Sequence, residues 1–454
     1  MALQSINPVD GHLIKEYEEY SSIQIAGCIE LAMSCYTNWK KTSFAARAAL
    51  LGECSAVLLN MKEELGGLIS LEMGKPIKES VAEIEKCAWV CRYYAEKGAE
   101  FLQPHPVESD AGESYICYEP LGALLAIMPW NFPFWQVFRF AVPAIMAGNV
   151  VLLKHASNVS GCSLAIADVF RKAGAPLGLF QALLISSESV EMVIGHPDVK
   201  AITLTGSERA GSAVAAQAGK LIKKTVMELG GSDPFIVLSD ADLKMAAVTA
   251  VRSRFLNNGQ SCIAAKRFII HQDVLEEFVR HVTDEVGKLI VDDPLKENTD
   301  LGPMARADLA KGVLRQVSQS IDRGAVLAYG TVAMSDKGAF IKPIILTNAR
   351  KGMPVYDEEV FGPVFPVIEA IDEEDCIRVA NDTAYGLGAT IWTKDLSKAK
   401  EMASGIEAGS VFINGMVKSD PRLPFGGVKM SGYGRELSEV GIREFVNIKT
   451  VWIR

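Results

Sequence analysis

Several features are missing from this 454-residue chain, and each absence removes a class of protein. No apolar run reaches the roughly 20 residues that a membrane-spanning helix needs, because prolines and glycines interrupt the most apolar windows. No basic run occurs, and 46 Lys and Arg against 55 Asp and Glu leave a net charge of −9. No charged segment followed by an apolar one opens the chain. We therefore expect no membrane partner, no nucleic-acid partner, no secretory signal and a cytoplasmic location.

Several catalytic signatures are missing as well. The nine cysteines include no C-x-x-C pair, which argues against a disulfide framework or a zinc ribbon. The six histidines form no H-E-x-x-H motif and no other ligand spacing, so we expect no metal site. The lack of a G-x-S-x-G elbow disfavours an α/β-hydrolase. Neither a Walker A motif nor G-x-G-x-x-G occurs, so the usual glycine pattern gives no argument for nucleotide binding.

The chain does contain an alternation of apolar segments that is typical of an α/β fold. Its first hundred residues have mainly helical periodicity, and strand candidates then alternate with helical stretches, which predicts βαβ units and a parallel sheet. These strand candidates are residues 150–154, 182–185, 201–205, 225–229 and 235–238. A second alternating series covers residues 264–413. The chain ends in an apolar strand, V-N-I-K-T-V-W-I-R, whose partner must lie elsewhere, and this indicates a role in oligomerisation.

One cysteine stands in a context that indicates reactivity. Cys262 follows Gly259 and Gln260 in N-N-G-Q-S-C, which we interpret as a turn at a strand-to-helix junction. A thiol at a helix N-terminus feels the positive end of the helix dipole, so we expect a lowered pKa and a nucleophile. A packed, unreactive thiol is the alternative interpretation of this segment.

Three other motifs could surround such a nucleophile. Glu228 ends an apolar strand candidate in M-E-L-G-G, where a carboxylate could be a general base or simply a capping or surface acid. Asn131 lies between two prolines in P-W-N-F-P, a rigid turn that suits an amide donor to an oxyanion, although a plain turn residue is the alternative. Gly206 and Ser207 follow a strand and Gly211 lies in the next helix, an arrangement that suits a pyrophosphate.

Taken together and in this order, the motifs resemble the aldehyde dehydrogenase superfamily over essentially the whole chain. The resemblance rests on I-N-P-V-D-G, P-W-N-F-P, V-V-L-L-K, L-T-G-S, M-E-L-G-G, G-Q-S-C, E-E-V-F-G-P, A-N-D-T-A-Y-G-L and P-F-G-G-V-K-M-S-G-Y-G-R-E. The spacing between Glu228 and Cys262 agrees with the family as well.

The resemblance implies an aldehyde dehydrogenase-like α/β fold with three parts. Residues 1–101 and 121–230 would form a Rossmann-like cofactor-binding domain, and residues 231–432 an α/β catalytic domain. Residues 102–120 and 433–454 would form a small β oligomerisation domain, in which the terminal strand pairs with the earlier segment. A homodimer or homotetramer is expected on the same ground.

The resemblance also implies roles for individual residues. Cys262 resembles the nucleophile that adds to the aldehyde, Asn131 the donor to the oxyanion, and Glu228 the base that activates water for deacylation. Contacts to the cofactor, NAD or NADP, are implied for Trp130, Lys154, Ser157, Gly206, Ser207, Gly211, Glu359 and Phe361.

One departure from the family bears on the cofactor. The family often has K-P-A-E where this chain has K-H-A-S, so His155 replaces a proline and Ser157 replaces an acid. An acid there would repel the 2′-phosphate of NADP, whereas serine can donate a hydrogen bond to it. We therefore expect both NAD and NADP to support turnover.

A second comparison bears on the substrate. Arg139 and Ser419 match residues with which succinate-semialdehyde dehydrogenases bind the distal carboxylate of their substrate. Those enzymes carry a second arginine where this chain has Leu256, and Arg254 or Lys418 could compensate for it. The resemblance thus implies NAD(P)-dependent oxidation of succinic semialdehyde to succinate, a small-molecule aldehyde being the partner.

Three alternatives stay open at this point. The enzyme could oxidise another short or medium aldehyde, or it could be an acylating enzyme in which coenzyme A or phosphate intercepts a thioester. Glu228 argues against the acylating class, because a positioned base is needed mainly for attack by water. A structural use of the fold without catalysis is disfavoured by the presence of Cys262, Glu228 and Asn131 together.

Overall fold

The computed structural model describes residues 3–454, in which helices and strands alternate along most of the chain. The helices are α1 (Ser22–Trp39), α2 (Phe44–Asn60), α3 (Lys62–Met73), α4 (Ile77–Phe101), α5 (Trp135–Met146), α6 (Ser160–Lys172), α7 (Val190–Gly195), α8 (Glu208–Lys220), α9 (Leu243–Phe255), α10 (Leu275–Val286), α11 (Ala307–Asp322), α12 (Pro354–Asp357), α13 (Glu373–Asn381), α14 (Leu396–Ser404) and α15 (Ser438–Ile442). The strands are β1 (Leu3–Ile6), β2 (Leu13–Tyr17), β3 (His105–Pro106), β4 (Glu113–Pro120), β5 (Ala123–Met128), β6 (Val150–His155), β7 (Phe180–Ala182), β8 (Val199–Thr205), β9 (Lys224–Glu228), β10 (Asp233–Val237), β11 (Ala265–His271), β12 (Val326–Tyr329), β13 (Ile344–Thr347), β14 (Val364–Ala370), β15 (Gly388–Trp392), β16 (Ser410–Ile413), β17 (Gly432–Tyr433) and β18 (Val446–Ile453).

The helices of the first hundred residues form where the sequence predicts them. The α1 helix begins with a capping box, in which the Ser21 hydroxyl accepts a hydrogen bond from the Gln24 N–H and the Gln24 side chain accepts one from the Ser21 N–H. Its buried side chains include Ile25 and Ile29, four residues apart on one face. The two strands β1 and β2, which precede α1 as a short hairpin, were not predicted because each is too short to show a clear period.

The first sheet has six strands in the order β17-β9-β8-β5-β6-β7. Its five main strands are parallel, and only β17 runs antiparallel, against β9. The central strands are buried on both faces, which explains why they read as continuous apolar runs such as A-L-L-A (123–126) and V-V-L-L (150–153). Parallel strands place their carboxyl ends at one edge, and this edge carries the candidate site.

The predicted strand at residues 182–185 is wrong in its position. The β7 strand covers Phe180–Ala182, and the following residues are buried but irregular. The Leu183 N–H still donates to the Leu153 carbonyl at 2.8 Å, but Ile185 then donates back to the Leu183 carbonyl at 3.0 Å and so ends the strand. The apolar character of this segment reflects burial rather than sheet pairing.

The second sheet has seven strands in the order β12-β13-β14-β11-β10-β15-β16. All neighbouring pairs in it are parallel except β12 and β13. Its strands come from the predicted second alternating series and from β10, and helices cover it. The β11 strand follows Cys262 directly, so this sheet supports the candidate nucleophile.

The third sheet has the order β18-β4-β3. The β18 strand pairs antiparallel with β4 over eight residues, from Val446 opposite Pro120 to Ile453 opposite Glu113. The pairing of the terminal strand with the segment 102–120 is therefore confirmed. Within residues 3–454 no strand covers the other edge of β18, where Ile448 and Trp452 are 60% and 50% exposed.

The chain between β16 and β18 returns to the first sheet before it reaches the third. The β17 strand pairs with β9, and Leu437 and Phe445 belong to the hydrophobic core around the first sheet. The predicted boundary between the catalytic and oligomerisation domains, after residue 432, thus falls inside a segment that packs on the cofactor-binding part. The predicted domain boundaries remain predictions.

One further observation concerns membranes. Among residues 3–454 no single helix has both the length and the apolar composition to cross a bilayer, and only the pair α2 and α3, bent by 71° at its break, meets those two criteria when taken together.

Candidate active site

The residues predicted for cofactor and catalysis gather at the carboxyl edge of the first sheet. The β9 strand ends in Glu228, which pairs with Thr205 at the end of β8. The Met128 and His155 residues likewise end β5 and β6 side by side. The loops that leave this edge carry Trp130, Asn131, Ser157, Gly206 and Ser207, and Lys154 lies at the end of β6. Four strand ends therefore bring together residues that are far apart in the sequence.

Cys262 lies in a turn between the 3-10 segment Leu256–Gly259 and β11. The predicted strand-to-helix junction is wrong, because the turn leads from helix to strand and no helix begins at the thiol. Asn257 and Asn258 have φ angles of 54° and 57°, a left-handed conformation that stops the preceding helix. Gly259 continues it at 75°, and its Cα approaches the Gly362 carbonyl so closely that no side chain would fit.

The predicted lowering of the thiol pKa is wrong as well. No helix begins at Cys262 to supply a dipole, and the thiol is buried. Burial raises the pKa of Cys262 to about 11, and the negative charges of Glu228 and Glu359 act in the same direction. Arg139 and Lys266 oppose the shift but do not cancel it. The resting thiol is therefore neutral at pH 7 and needs a base to become a nucleophile.

The Asn131 side chain is fixed in one orientation next to the Cys262 turn. Its Oδ1 accepts a hydrogen bond from Gln136 Nε2 at 3.1 Å, and its Nδ2 donates to the Gln260 carbonyl at 3.0 Å. Asn257 Nδ2 donates both to the Asn131 carbonyl at 2.7 Å and to the Gln260 carbonyl at 2.9 Å. Glu79 holds Asn257 in turn, because its carboxylate accepts the Asn257 N–H at 2.8 Å. An amide nitrogen has two N–H groups, so Asn131 keeps one for an oxyanion.

Glu228 is buried at the end of β9, with 2% of its surface exposed. Its Oε1 has no hydrogen-bond partner among residues 3–454, and a Cβ added at Gly426 would lie 2.6 Å from that oxygen. Burial raises the pKa of this carboxyl well above its usual range, and the nearby Glu436 adds to the shift, while Arg139 and Arg435 oppose it. A raised pKa makes the ionised carboxylate a stronger base than an ordinary glutamate.

A cavity of about 690 Å³ opens on Cys262. Its wall includes Arg139, Phe425 and Ser419, whereas Asn131 and Glu228 are buried and do not belong to the lining. The sequence-predicted nucleophile and both predicted substrate residues thus face one space. The predicted base and the oxyanion donor do not line that space.

Arg139 is buried in α5 and does not stand alone. Its Nε forms an ion pair with Glu436, and its Nη2 donates to Thr205 Oγ1 at 3.2 Å. Its guanidinium carbon lies 4.7 Å from the centroid of the Phe425 ring. Glu436 was missed by sequence reasoning, since nothing in S-G-Y-G-R-E indicates that this carboxylate reaches α5.

Ser419 is held in the cavity wall by two donors. Lys86 Nζ donates to its Oγ at 2.8 Å, and Trp135 Nε1 donates to the same atom at 3.0 Å. Lys86, on α4, was also missed by sequence reasoning; the only available signal is its place next to the buried Glu83 and Cys87 on that helix. The Lys86 Nζ lies 4.2 Å from the centroid of the Trp135 ring.

The two residues considered as replacements for a second arginine behave differently. Arg254 is fully buried outside the cavity wall, where it donates to the carbonyls of Ala265, Gly259, Val360 and Gly362. It therefore stabilises the turn before Cys262 and has no role in the cavity. Lys418 is exposed at the rim, and Leu256 lines the wall.

The predicted pyrophosphate segment has the expected strand, turn and helix. Gly206 follows β8 and donates its N–H to the Glu228 carbonyl at 3.0 Å. Ser207 caps α8, accepting a hydrogen bond from the Ala210 N–H. A Cβ added at Gly211 would lie 2.6 Å from Leu229, so glycine lets α8 approach the chain after β9. The helix N-terminus thus faces the same edge as Lys154 and the exposed Ser157, and these residues fit a phosphorylated dinucleotide.

The remaining cofactor candidates connect this edge to the Cys262 turn. Glu359 Oε1 accepts the Gly231 N–H at 3.1 Å and pairs with Lys266 Nζ at 3.2 Å. Lys266, a buried residue that sequence reasoning missed, also donates to the Cys262 carbonyl at 2.7 Å. Phe361 packs edge-on against Trp130, with 5.9 Å between ring centroids.

Comparisons with known proteins agree with this geometry. The model of the aldehyde dehydrogenase family matches residues 1–451. The chain is 49% identical over 453 residues to a probable succinate-semialdehyde dehydrogenase (NADP+) of Synechocystis sp., and the match covers 100% of both chains. It is 47% identical over 456 residues to succinate-semialdehyde dehydrogenase (NADP+) 1 of Mycobacterium tuberculosis, again over 100% of both.

A solved structure extends the comparison to the fold. The succinic semialdehyde dehydrogenase of Streptococcus pyogenes in complex with NADP+ matches with a TM-score of 0.97 at 38% identity, covering 100% of both chains. The predicted resemblance and fold class are confirmed: the chain belongs to the aldehyde dehydrogenase family.

Proposed function

We propose that this enzyme oxidises succinic semialdehyde to succinate and uses NADP or NAD as the hydride acceptor. The observation that carries the proposal is the cavity of about 690 Å³, which joins the Cys262 thiol to a wall that contains Arg139 and Ser419. A guanidinium and a hydroxyl suit a carboxylate at the far end of a short aldehyde. The relatives described as succinate-semialdehyde dehydrogenases support the same substrate.

The proposed reaction begins at the thiol. Glu228 is one of two carboxylates whose charge acts on Cys262, and with its raised pKa it can accept the thiol proton. The sulfur then bonds to the aldehyde carbon, and the carbonyl oxygen becomes an oxyanion. Asn131 Nδ2 and the Cys262 N–H would donate hydrogen bonds to that oxyanion.

When bound, the nicotinamide of NAD or NADP supplies the oxidising capacity by taking up a hydride. Trp130, Glu359 and Phe361 would hold the nicotinamide end. Glu359 pairs with Lys266, which donates to the Cys262 carbonyl, and Phe361 packs against Trp130. The remaining thioester on Cys262 is cleaved by water. Once Glu228 has released the thiol proton to solvent, it would take a proton from that water and return it to the sulfur as the acid leaves, which restores the thiol.

The phosphate end of the cofactor supports the use of both nucleotides. Ser157 is exposed at the end of β6 and stands where no carboxylate repels a 2′-phosphate. Lys154 lies near the end of β6, and burial lowers the pKa of its ammonium. The similar Streptococcus pyogenes structure in complex with NADP+ supports NADP as one of the two cofactors.

The proposal includes a homodimer or homotetramer that works in the cytoplasm. The exposed Ile448 and Trp452 lie on β18, whose free edge could pair with a second copy. All nine cysteines are free thiols, which suits a reducing compartment.

The experiment that tests the function compares aldehydes with each cofactor in turn. We expect the absorbance of reduced nicotinamide to rise fastest, at low substrate, with succinic semialdehyde, and succinate to appear without coenzyme A. Butyraldehyde is the matched control, because it has the same chain length and lacks the carboxylate. Equal kcat/KM for the two aldehydes would contradict the proposed substrate, and a requirement for coenzyme A would contradict hydrolysis.

A further inference from the structure

Some of the charges around the cavity are compensated within the chain. Arg139 pairs with Glu436, Lys78 with Asp300 and Lys288 with Glu285. Three further cations of the wall, Lys86, Arg252 and Lys418, have no carboxylate oxygen within 4.0 Å of their side-chain nitrogens among residues 3–454. Arg252 and Lys418 are exposed, so Lys86 is the half-buried member of these cations, and it alone among them contacts Ser419.

The surroundings of Lys86 are costly for a cation. The ammonium lies against the Trp135 ring and makes a single hydrogen bond, to Ser419 Oγ, although it has three N–H groups to donate. Burial lowers the pKa of Lys86 to about 8, and the charge of Arg139 acts in the same direction. A half-buried cation with unused donors is a common mark of a ligand site.

The hydrogen bonds of Ser419 show where its proton is directed. A hydroxyl has two lone pairs and one O–H. Lys86 and Trp135 both donate to Ser419 Oγ, so they occupy its two lone pairs. The hydroxyl proton is left to donate to a third group, and Ser419 lines the cavity. Lys86 and Ser419 thus form a pair of adjacent donors that, apart from the bond between them, have no acceptor among residues 3–454.

We infer that Lys86 is a specificity-determining residue that pairs, together with Ser419, with the distal carboxylate of the substrate. This inference rests on the proposed function, since it names the residue that would recognise the charged end of the same substrate. A carboxylate has two oxygens, so it can accept one hydrogen bond from the ammonium and one from the hydroxyl. An uncharged aldehyde would leave Lys86 without an anion.

The test compares the Lys86→Met enzyme with the wild type on succinic semialdehyde and butyraldehyde. We expect the KM for succinic semialdehyde to rise about tenfold or more, with kcat within about twofold, because the lost contact is remote from the reacting carbon. The values for butyraldehyde should stay within about twofold of wild type. Lys86→Arg keeps the positive charge and should restore most of the preference.

A matched control lies on the same helix. Lys78→Met also removes a lysine from the cavity wall, but that charge is already paired with Asp300 at 2.6 Å, so the KM for succinic semialdehyde should hardly change. Binding of succinate, measured by calorimetry without turnover, should weaken in Lys86→Met and not in Lys78→Met. Should Lys86→Met lose butyraldehyde turnover, Lys86→Gln serves as the second variant.

The outcomes separate the inference from the proposed function. If the wild type does not prefer succinic semialdehyde over butyraldehyde, the proposed function is wrong and the inference with it. If the wild type has that preference and Lys86→Met or Lys86→Gln retains it in full, the inference is wrong and another group binds the carboxylate.

Discussion

Arg139 and Glu436 form an ion pair that is almost completely buried, with 2% of each side chain exposed, in the wall that faces Cys262. The pair joins α5 to the segment after β17, and Glu436 also acts on the pKa of Glu228. Arg139 therefore has a structural role besides any contact with substrate. A simple truncation of Arg139 would leave the Glu436 charge buried and unpaired.

The first prediction follows from that pairing. We expect Arg139→Met to lower the free energy of unfolding by about 3–5 kcal/mol, because removing one partner of a buried pair leaves an uncompensated charge. The double variant with Glu436→Gln should recover most of that loss. Urea unfolding of the single and double variants measures both effects. A single variant as stable as the wild type would show that the pair contributes nothing to the fold.

The double variant also isolates the role of Arg139 in substrate binding. If Arg139 contacts the carboxylate, kcat/KM for succinic semialdehyde should fall about tenfold more than that for butyraldehyde. An equal fall for both aldehydes would remove Arg139 from substrate recognition and leave it as a structural residue.

The second prediction concerns Glu228. Glu228→Gln keeps the shape of the side chain but cannot take a proton from water, so deacylation should slow by about 100-fold or more. A thioester on Cys262 should then accumulate and be visible as an acyl adduct in the mass spectrum of the intact protein. Cys262→Ala is the control, because it can form no adduct. Normal turnover of Glu228→Gln without an adduct would exclude Glu228 as the base.

The third prediction uses the raised thiol pKa. With the pKa of Cys262 at about 11, the thiolate fraction in the free enzyme should rise about tenfold for each pH unit from pH 7 to pH 10. The rate of alkylation by iodoacetamide, followed at Cys262 by peptide mapping, should rise in the same proportion. A plateau near pH 8 would instead indicate a thiol that is activated in the resting enzyme.

These cases show which parts of the protein the sequence could predict. The parallel strands of the first sheet were predictable because each is an apolar run, and their shared edge brings Asn131, Glu228 and Ser207 together by topology alone. The pairing of β18 with β4 followed from the family resemblance. Residues at strand ends and in recognisable motifs thus reached their expected places.

The rest depends on contacts that no local pattern records. The turn before Cys262 reverses the expected order of helix and strand, because Asn257 and Asn258 adopt a left-handed conformation that asparagine tolerates but does not require. Lys86 and Ser419 are 333 positions apart in the chain. Only the packing of α4 beneath the segment after β16 brings them together, so their joint role was not visible in the sequence.

The fourth prediction concerns the choice of cofactor. Ser157→Glu places a carboxylate at the exposed end of β6, where it would repel the 2′-phosphate of NADP and accept hydrogen bonds from the ribose of NAD. We expect the ratio of kcat/KM for NADP to that for NAD to fall about tenfold or more. Ser157→Ala is the control, since it removes the hydroxyl without adding charge. An unchanged ratio in Ser157→Glu would show that the 2′-group of the bound cofactor does not lie near residue 157.

The last prediction concerns His155, which stands where the family often has proline. Its Nδ1 accepts the Ala156 N–H at 2.9 Å, and its Nε2 lies 2.9 Å from the Pro133 carbonyl, so the network favours a neutral ring with the proton on Nε2. Burial lowers the pKa of His155 to about 4, from an ordinary value of 6.5. Between those two pH values the unfolded chain binds a proton that the folded protein does not.

The contribution of His155 to stability should therefore be complete above about pH 6.5 and should disappear as the pH falls toward 4, a loss of about 3 kcal/mol. His155→Gln cannot be protonated, so its free energy of unfolding should fall less steeply over this range than that of the wild type. His105→Gln, at an exposed strand position, is the control and should follow the wild type. Parallel stability profiles for the wild type and His155→Gln would contradict a buried neutral imidazole.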